Sequence, residues 1–306
     1  MITLSKVQVA IAISTYNGEK FISEQLESIF SQCMPEGIEL TVFVRDDGSA
    51  DGTLRILEKY EKEKKLVLFK GQNLGVTASF MCLLQHIPLY FNYIALCDQD
   101  DVWHRDKIER AVTVLSKCDQ SIPQLYCSEY IFCDAELSPI GRSTLNKRGV
   151  CFDNLLFENV CSGNTMVMNC ALHKMTSRLG GDGVYCHDWW IALLAAAFGE
   201  IHYDKNFYSL DYRRIGENAS PTGSGALRLL RYRFTKFIQG DGLESVTLQL
   251  RKLLDSTSDD LASGKADTLR LFLGSNRFGK VFYKARLRQT IAGELMLRFL
   301  FLSGRL

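Results

Sequence analysis

Tyr93-Ile94-Ala95-Leu96-Cys97-Asp98-Gln99-Asp100-Asp101 is the stretch on which the reading of this chain turns. The apolar run Tyr93 to Cys97 predicts a short buried strand. Three carboxylates in the next four positions crowd like charge at the end of that strand. Such crowding repels itself unless a cation or a hydrogen-bond donor occupies the site. Hard divalent ions such as Mg²⁺ take oxygen ligands and often keep one or two protein carboxylates together with substrate phosphates. The competing reading is a solvated acidic turn ahead of a helix that starts near Trp103.

Upstream, the same strand-then-polar-loop pattern repeats. Val9 to Ser14 is an apolar strand candidate, followed by Thr15-Tyr16-Asn17-Gly18 and an amphipathic helix with Ile22, Leu26, Ile29 and Phe30 on one face, for which Asn17 is a good cap. Thr41 to Arg45 predicts a second strand, which runs into Asp46-Asp47-Gly48-Ser49-Ala50-Asp51-Gly52-Thr53 and a helix to about Lys62. Leu66 to Phe69 is a third strand, and Asn73-Leu74-Gly75 opens a third helix. This alternation predicts an α/β fold with a doubly wound, mostly parallel sheet. Right-handed crossovers put the intervening loops at one sheet edge, and ligands of such sheets bind at the carboxyl ends of the strands. Thr15-Tyr16-Asn17, Asp46-Asp47 and Asp98 to Asp101 are therefore expected to meet in one crevice.

After residue 120 the pattern changes. Gln124 to Asp134 and Cys161 to Asn169 read as strands, the second containing Ser162-Gly163-Asn164. Cys186-His187-Asp188-Trp189-Trp190 leads into a helix, Ile191 to Phe198, and Ile201 to Tyr212 reads as extended. Ala219 to Gly225 is a linker by composition, and the chain from Ala226 reads as helical and basic. Two regions are expected: 1–220, carrying the crevice, and 221–306, a basic helical extension.

Composition narrows the class. Of 306 residues 46% are hydrophobic and 23% charged, which suits a globular chain with an ordinary core. A net charge of +1 carries no nucleic-acid signature, but from Ala226 onward fifteen Lys and Arg face seven Asp and Glu. That asymmetry points to an anionic partner for the last quarter of the chain, either membrane headgroups or a negative patch on its own first half. Ten cysteines contain no C-x-x-C pair, and Met1 to Ser5 lacks a basic region followed by an apolar one, so a reducing cytosolic location is expected. The longest clean apolar run, Ile191 to Phe198, is too short to span a bilayer.

The first loop lacks both the G-x-G-x-x-G of a dinucleotide site and the Gly-Lys-Ser/Thr of a P-loop. A nucleotide base can still be gripped by backbone groups near Thr15 and Tyr16, with Asp46 or Asp47 accepting from a pyrimidine N3–H. For Asp47 and Asp51 an Asx turn that caps the next helix is an equal alternative.

Taken together, Ser14-Thr15-Tyr16-Asn17-Gly18, Arg45-Asp46-Asp47-Gly48-Ser49-Ala50-Asp51-Gly52-Thr53, Asn73-Leu74-Gly75 and Asp98-Gln99-Asp100-Asp101-Val102-Trp103 resemble the motifs of family 2 glycosyltransferases, which have the glycosyltransferase-A fold. With the later His187-Asp188-Trp189-Trp190, the resemblance is nearest to the rhamnosyltransferase-like members that build bacterial surface polysaccharides. It covers roughly residues 8 to 218. The resemblance implies inverting transfer of a sugar, rhamnose by preference, from a dTDP- or UDP-linked donor to a hydroxyl of a glycan or lipid-linked saccharide. It implies donor contacts from Thr15, Tyr16, Asn17, Glu19, Asp46, Asp47, Asn73 and Asp98. Asp100, with Asp98 sharing and Asp101 as an alternative, would hold Mg²⁺ or Mn²⁺. Asp188 would be the general base, and Trp189 and Trp190 would meet the acceptor, core packing being the other reading of both rings. The chain departs from the pattern at Tyr212-Arg213-Arg214-Ile215: relatives often carry a histidine where Ile215 stands, and isoleucine cannot ligate. Arg213 or Arg214 would then serve the diphosphate, since Arg suits bidentate phosphate contact.

In the basic extension, Arg228, Arg231, Arg233 and Lys236 alternate with Leu229, Leu230, Phe234 and Phe237, and Lys284, Arg286, Arg288 and Arg298 sit among Leu287, Ile291, Leu295, Leu297, Phe299 and Leu300. Such helices suit an anionic membrane surface at the inner face of the membrane, or packing on the first region or on a second copy in a homo-oligomer. Two rivals to sugar transfer are a sugar-nucleotidyltransferase, which needs a Gly-rich basic loop that Thr15 to Glu19 does not provide, and a non-catalytic nucleotide-sugar-binding protein, against which Asp98, Asp100 and Asp188 argue.

Overall fold

The computed structural model describes residues 6–214 and 241–306. Val7–Thr15 (β1), Ile38–Asp46 (β2), Leu66–Lys70 (β3) and Tyr93–Cys97 (β4) form the parallel half of a nine-stranded sheet, in the order β3-β2-β1-β4. Ile22–Phe30 (α1), Thr53–Lys62 (α2) and Val76–His86 (α3) make the crossovers. Val9 to Ile13 are wholly buried because helices cover both faces of the sheet, so β1 reads as an unbroken apolar run. The register pairs Thr15 with Asp46 and Ile13 with Cys97. The three polar loops therefore leave the sheet side by side.

The other half is mixed. Val102–Trp103 (β5), Gln124–Cys133 (β6), Pro139–Arg142 (β7), Val167–Asn169 (β8) and Glu200–Arg213 (β9) follow in the chain. β8 runs antiparallel between β4 and β6, β6 pairs parallel with β9 through a bulge, and β9 pairs antiparallel with β5. The sheet is thus continuously parallel through β3-β2-β1-β4, and in the other half only the β6–β9 pair is parallel. Lys107–Leu115 (α4) starts later than expected, because Val102 and Trp103 are drawn into pairing with Asp211 and Leu210. Phe152–Leu155 (α5), Cys170–Leu179 (α6) and His187–Phe198 (α7) complete this half. The stretch expected as a strand from Cys161 is extended only from Val167; Gly163–Thr165 is a 3-10 turn.

Two apolar layers flank the sheet. One packs Ile22, Leu26 and Ile29 of α1 and Ile108 and Leu115 of α4 on Val9, Ile11 and Ile13. The other packs Phe80 and Leu84 of α3 and Trp190, Leu193 and Leu194 of α7 on Ala10, Ala12 and Leu96. This second layer continues without a break into Asp241–Thr257 (α8), Ser263–Leu273 (α9), Arg277–Val281 (α10) and Ile291–Leu302 (α11), through Leu253, Leu269, Phe272 and Phe301. Lys265 Nζ donates to the carbonyls of Ala196 (2.9 Å) and Ala197 (2.7 Å), placing a cation at the negative end of α7. No helix among the described residues is long and apolar enough to cross a membrane. The linker at 219–225, Ile215 and the basic run 228–237 lie outside the described residues.

Candidate active site

The loop after β1 is tied to its neighbours by side chains. Thr15 Oγ1 and the Tyr16 amide both donate to Gln99 Oε1, at 2.6 and 2.9 Å. Asn17 takes a left-handed backbone (φ 49°) and accepts from the Ala50 amide at 2.8 Å, while Glu19 accepts from the Gly52 amide at 2.8 Å. Asn17 is therefore a tie between two loops and not the cap of α1, which starts after Phe21 without a side-chain cap. Tyr16 is exposed at the rim.

After β2 the two aspartates divide their work. Asp47 is buried, pairs with Arg45, and accepts from the amides of Leu74 (3.0 Å) and Gly75 (2.9 Å). It clasps the Asn73-Leu74-Gly75 turn, in which Asn73 Oδ1 also accepts from Gly75. Asp46 accepts through Oδ2 from Gly48 (3.2 Å) and Ser49 (3.0 Å), and its buried Oδ1 has no partner. Of the two, Asp46 keeps an oxygen available for a ligand donor.

Asp98 and Asp100 are half-buried and Asp101 is fully buried. Burial, then the charge of Asp100, then that of Asp188, pushes the Asp98 carboxyl up to about 7. Burial also raises Asp100, against the pull of Arg213. Asp101 is raised well above the carboxylate range by burial and by its two neighbours, although Asn164 Nδ2 donates to its Oδ2 at 2.6 Å. Asp101 Oδ1 is buried without a partner.

Asp188 lies in the first turn of α7, where the helix dipole favours a carboxylate. Its Oδ2 accepts from the Gly163 amide at 3.2 Å and its Oδ1 from the Trp189 amide at 2.6 Å and from Cys186 Sγ at 2.9 Å. Gly163 and Asn164 thus join the two halves of the site: one holds Asp188, the next holds Asp101. A side chain at 163 would meet Asp188 Cβ at 3.1 Å and His187 Nε2 at 3.2 Å, so glycine permits this approach.

Sequence reading missed Lys107. Wholly buried at the start of α4, it donates through Nζ to the Asn164 carbonyl and lies 4.3 Å from the Trp103 ring centroid. Burial pulls its amine down to about 8, while Cys97, Asp101 and Asp98 favour its charge. It is the cation beneath the acidic loop. Only its sequence position, six residues past Asp101, hinted at this; Gly163 and Asn164 gave no periodic signal at all.

Two expected roles meet a different geometry. Trp190 is fully buried in the core and presents no face to a sugar. Trp189 donates through Nε1 to Leu155 O and is nearly buried, with its ring edge-on to the exposed Tyr185 at 6.2 Å. Arg213 is buried; it donates to the carbonyls of Asp100 (3.1 Å) and Ala135, pairs with Glu24, and stacks at 4.8 Å over Phe21. It braces the acidic loop from below, so its fork is already engaged. His187 stacks on Phe80 at 4.2 Å with both ring nitrogens unpartnered, and burial holds its imidazole below the usual value.

Among the described residues no three His, Cys, Asp or Glu side chains converge as a closed metal site. What is present is an open set: two half-buried carboxylates and the unpartnered Asp101 Oδ1. All are hard oxygen donors, which fits a cation completed by substrate phosphates and water.

This fold belongs to a known class. The fold is that of the glycosyltransferase-A enzymes: the structure matches Staphylococcus aureus TarS 1-349 in complex with UDP-GlcNAc (TM-score 0.62, 16% identity, 98% of this chain and 80% of that one). It also matches the mannosyltransferase PcManGT from Pyrobaculum calidifontis in complex with GDP-Man and Mn²⁺ (TM-score 0.51, 16% identity, 99% and 88%). Residues 10–150, just under half of the chain, match the model of Glycosyl transferase family 2. Among curated relatives, dTDP-rhamnosyl transferase RfbG of Shigella flexneri is 34% identical over 108 residues, 34% of this chain and 36% of the relative. The putative teichuronic acid biosynthesis glycosyltransferase TuaG of Bacillus subtilis is 32% identical over 107 residues, 34% and 40%. An uncharacterized glycosyltransferase of Haemophilus influenzae is 30% identical over 177 residues, 54% and 53%. The matched segment thus spans between about a third and just over half of these relatives' lengths.

Proposed function

We propose that the chain transfers a sugar, with inversion, from a nucleotide-sugar to a hydroxyl of a glycan or lipid-linked saccharide in the building of a bacterial surface polysaccharide. The observation that carries this reading is electrostatic and geometric. Adjacent residues of one turn hold both groups, Gly163 through its amide to Asp188 and Asn164 through its side chain to Asp101, so the acidic loop and a separate carboxylate lie beside one another, and Asp98 feels the charge of Asp188. Rhamnose on dTDP is the favoured donor, by similarity to a dTDP-rhamnosyl transferase; a UDP-sugar is the next choice.

In this reading Tyr16 covers the base at the rim, and the free Asp46 Oδ1 accepts from a pyrimidine N3–H. Asp98 and Asp100 face the diphosphate, where a bound Mg²⁺ or Mn²⁺ would neutralise charge on the leaving group. Asp188, held by Gly163 and Trp189, takes the proton of the acceptor hydroxyl as that oxygen bonds the anomeric carbon. The bond from that carbon to the diphosphate oxygen breaks in the same step. In this reading Trp189, next in the chain to Asp188, remains the acceptor contact, while Trp190 serves the core.

The test is a donor screen followed by two substitutions. A donor at about 100 times its Kd should add roughly 2.7 kcal/mol of stability. With the donor identified, Asp188→Asn is expected to lower transfer about 10²- to 10⁴-fold while donor binding persists. Asp100→Ala should abolish donor turnover and its dependence on Mn²⁺. Transfer within a few-fold of the wild type in Asp188→Asn would remove Asp188 as base, and no turnover of any nucleotide-sugar would favour a binding protein.

A further inference from the structure

Helices α10 and α11 carry large apolar side chains that no described residue covers. Ile291, Leu295, Phe299 and Leu302 recur every three or four residues along α11 and are all exposed, Leu295 at 66%. The other side of the helix, with Leu297, Leu300 and Phe301, is buried in the core. Phe278 in α10 and Phe282 just after it are also exposed, Phe282 at 76%. The two helices are fastened together by Arg298, whose Nη1 donates to the carbonyls of Lys280 (3.0 Å) and Val281 (2.7 Å).

The charge around this surface has one sign. Arg277, Lys284, Arg286 and Arg305 are exposed. Glu294 is the one acid between residues 277 and 306, and it is occupied by Arg298 at 2.6 Å and by the Leu287 and Arg288 amides at 2.9 Å. Arg288 and Arg298, which the sequence left open to a membrane surface or to packing on the first region, are half-buried and engaged within the fold: Arg288 donates to Phe157 O and pairs with Glu158 at 3.4 Å. Leu287, Leu297 and Leu300 likewise point inward. The outward surface is a partly different set of residues.

The occupant follows from the charge. A second copy related by a two-fold axis would set the basic rim against itself. The chain's own segment 226–240 carries Arg228, Arg231, Arg233 and Lys236 with no acid, so it repels the same rim. An anionic bilayer accepts apolar side chains among its acyl chains and pairs its headgroups with the cations. We propose that α10 and α11 form a membrane-docking face, with Phe278, Phe282, Ile291, Leu295, Phe299 and Leu302 entering the headgroup boundary of an anionic bilayer.

The test uses the full chain in vesicle co-sedimentation. Binding to mixed phosphatidylcholine–phosphatidylglycerol vesicles and not to phosphatidylcholine alone is expected, with release as salt rises. Leu295→Ser with Phe299→Ser, and separately Lys284→Glu with Arg286→Glu, should each weaken that binding about tenfold or more. Both pairs lie on exposed positions outside the crevice, so the melting temperature and donor hydrolysis should be unchanged. Loss of hydrolysis in the wild type would therefore count against the catalytic reading and not against docking. Equal binding to neutral vesicles, binding indifferent to both pairs, or a dimer in solution that Leu295→Ser with Phe299→Ser splits would each overturn the proposal.

Discussion

Asp98 shows how a buried acidic cluster writes itself into stability. Its folded value of about 7 lies above the ordinary 3.8, so between roughly pH 4 and 7 the folded chain holds a proton that the unfolded chain has released. The contribution of Asp98 is thus most favourable below that window, falls as pH rises through it, and is fully lost above it. Asp98→Asn is expected to raise the melting temperature at pH 8 and to leave it unchanged at pH 4; an equal gain at both would refute the repulsion account. Lys107 is the counterweight. Lys107→Met leaves the carboxylates without their buried cation, at a cost of about 3–5 kcal/mol, and urea unfolding should show a larger loss at pH 8 than at pH 5. The acidic cluster itself was legible in the sequence as three carboxylates after an apolar run. Its cation was not, because a buried lysine in an amphipathic helix looks like any surface lysine until Asn164 O is seen to receive it.

The element that organises the site is the shortest one, the turn Gly163–Thr165. It holds Asp188 by the Gly163 amide and Asp101 by the Asn164 side chain, so its position sets the distance between Asp188 and the acidic loop. Gly163→Ala must push the first turn of α7 by a few tenths of an ångström. Since displacements near 1 Å cost about 10²-fold in rate, a loss of transfer of about tenfold or more is expected in steady-state kinetics, with the far-ultraviolet dichroism unchanged. Gly264 in α9 is the contrasting case: a methyl there meets nothing within 4 Å. Gly264→Ala should gain about 0.5–1 kcal/mol in chemical denaturation and leave transfer alone. Of the elements, β1 to β4 were legible because each is an apolar run ended by polar residues. The turn at 163–165 was read as strand, since its flanks Cys161 and Met166 to Met168 are apolar and buried, and nothing local marks the change.

For the molecule as a whole, Phe272 and Phe301 matter most. They pack edge-on against Phe157 at 5.1 and 5.3 Å, joining α9 and α11 to the segment beside α7 in one apolar layer. Phe301→Ala is expected to cost about 3–5 kcal/mol. If the helices from α8 onward are one cooperative unit with the sheet, calorimetry should show a single transition in both the wild type and the variant. Two resolved transitions would separate them. The sequence showed a charge asymmetry here and a helical tail. It did not show that Leu253, Leu269, Phe272 and Phe301 are spent on this shared layer.

The sequence alone was enough to determine that apolar runs alternate with helices and that their polar loops leave one sheet edge, and to single out Asp98, Asp100 and Asp188 as candidates for the chemistry. Those are local properties, carried by period and by residue type. Tertiary structure alone decided that Asn17 and Asp47 tie loops together, that Arg213 braces and Trp190 fills the core, and that Lys107, Gly163 and Asn164 complete the site. Each of those outcomes depends on a partner dozens of residues away, and burial and pairing with such a partner leave no mark on the neighbouring letters of the chain.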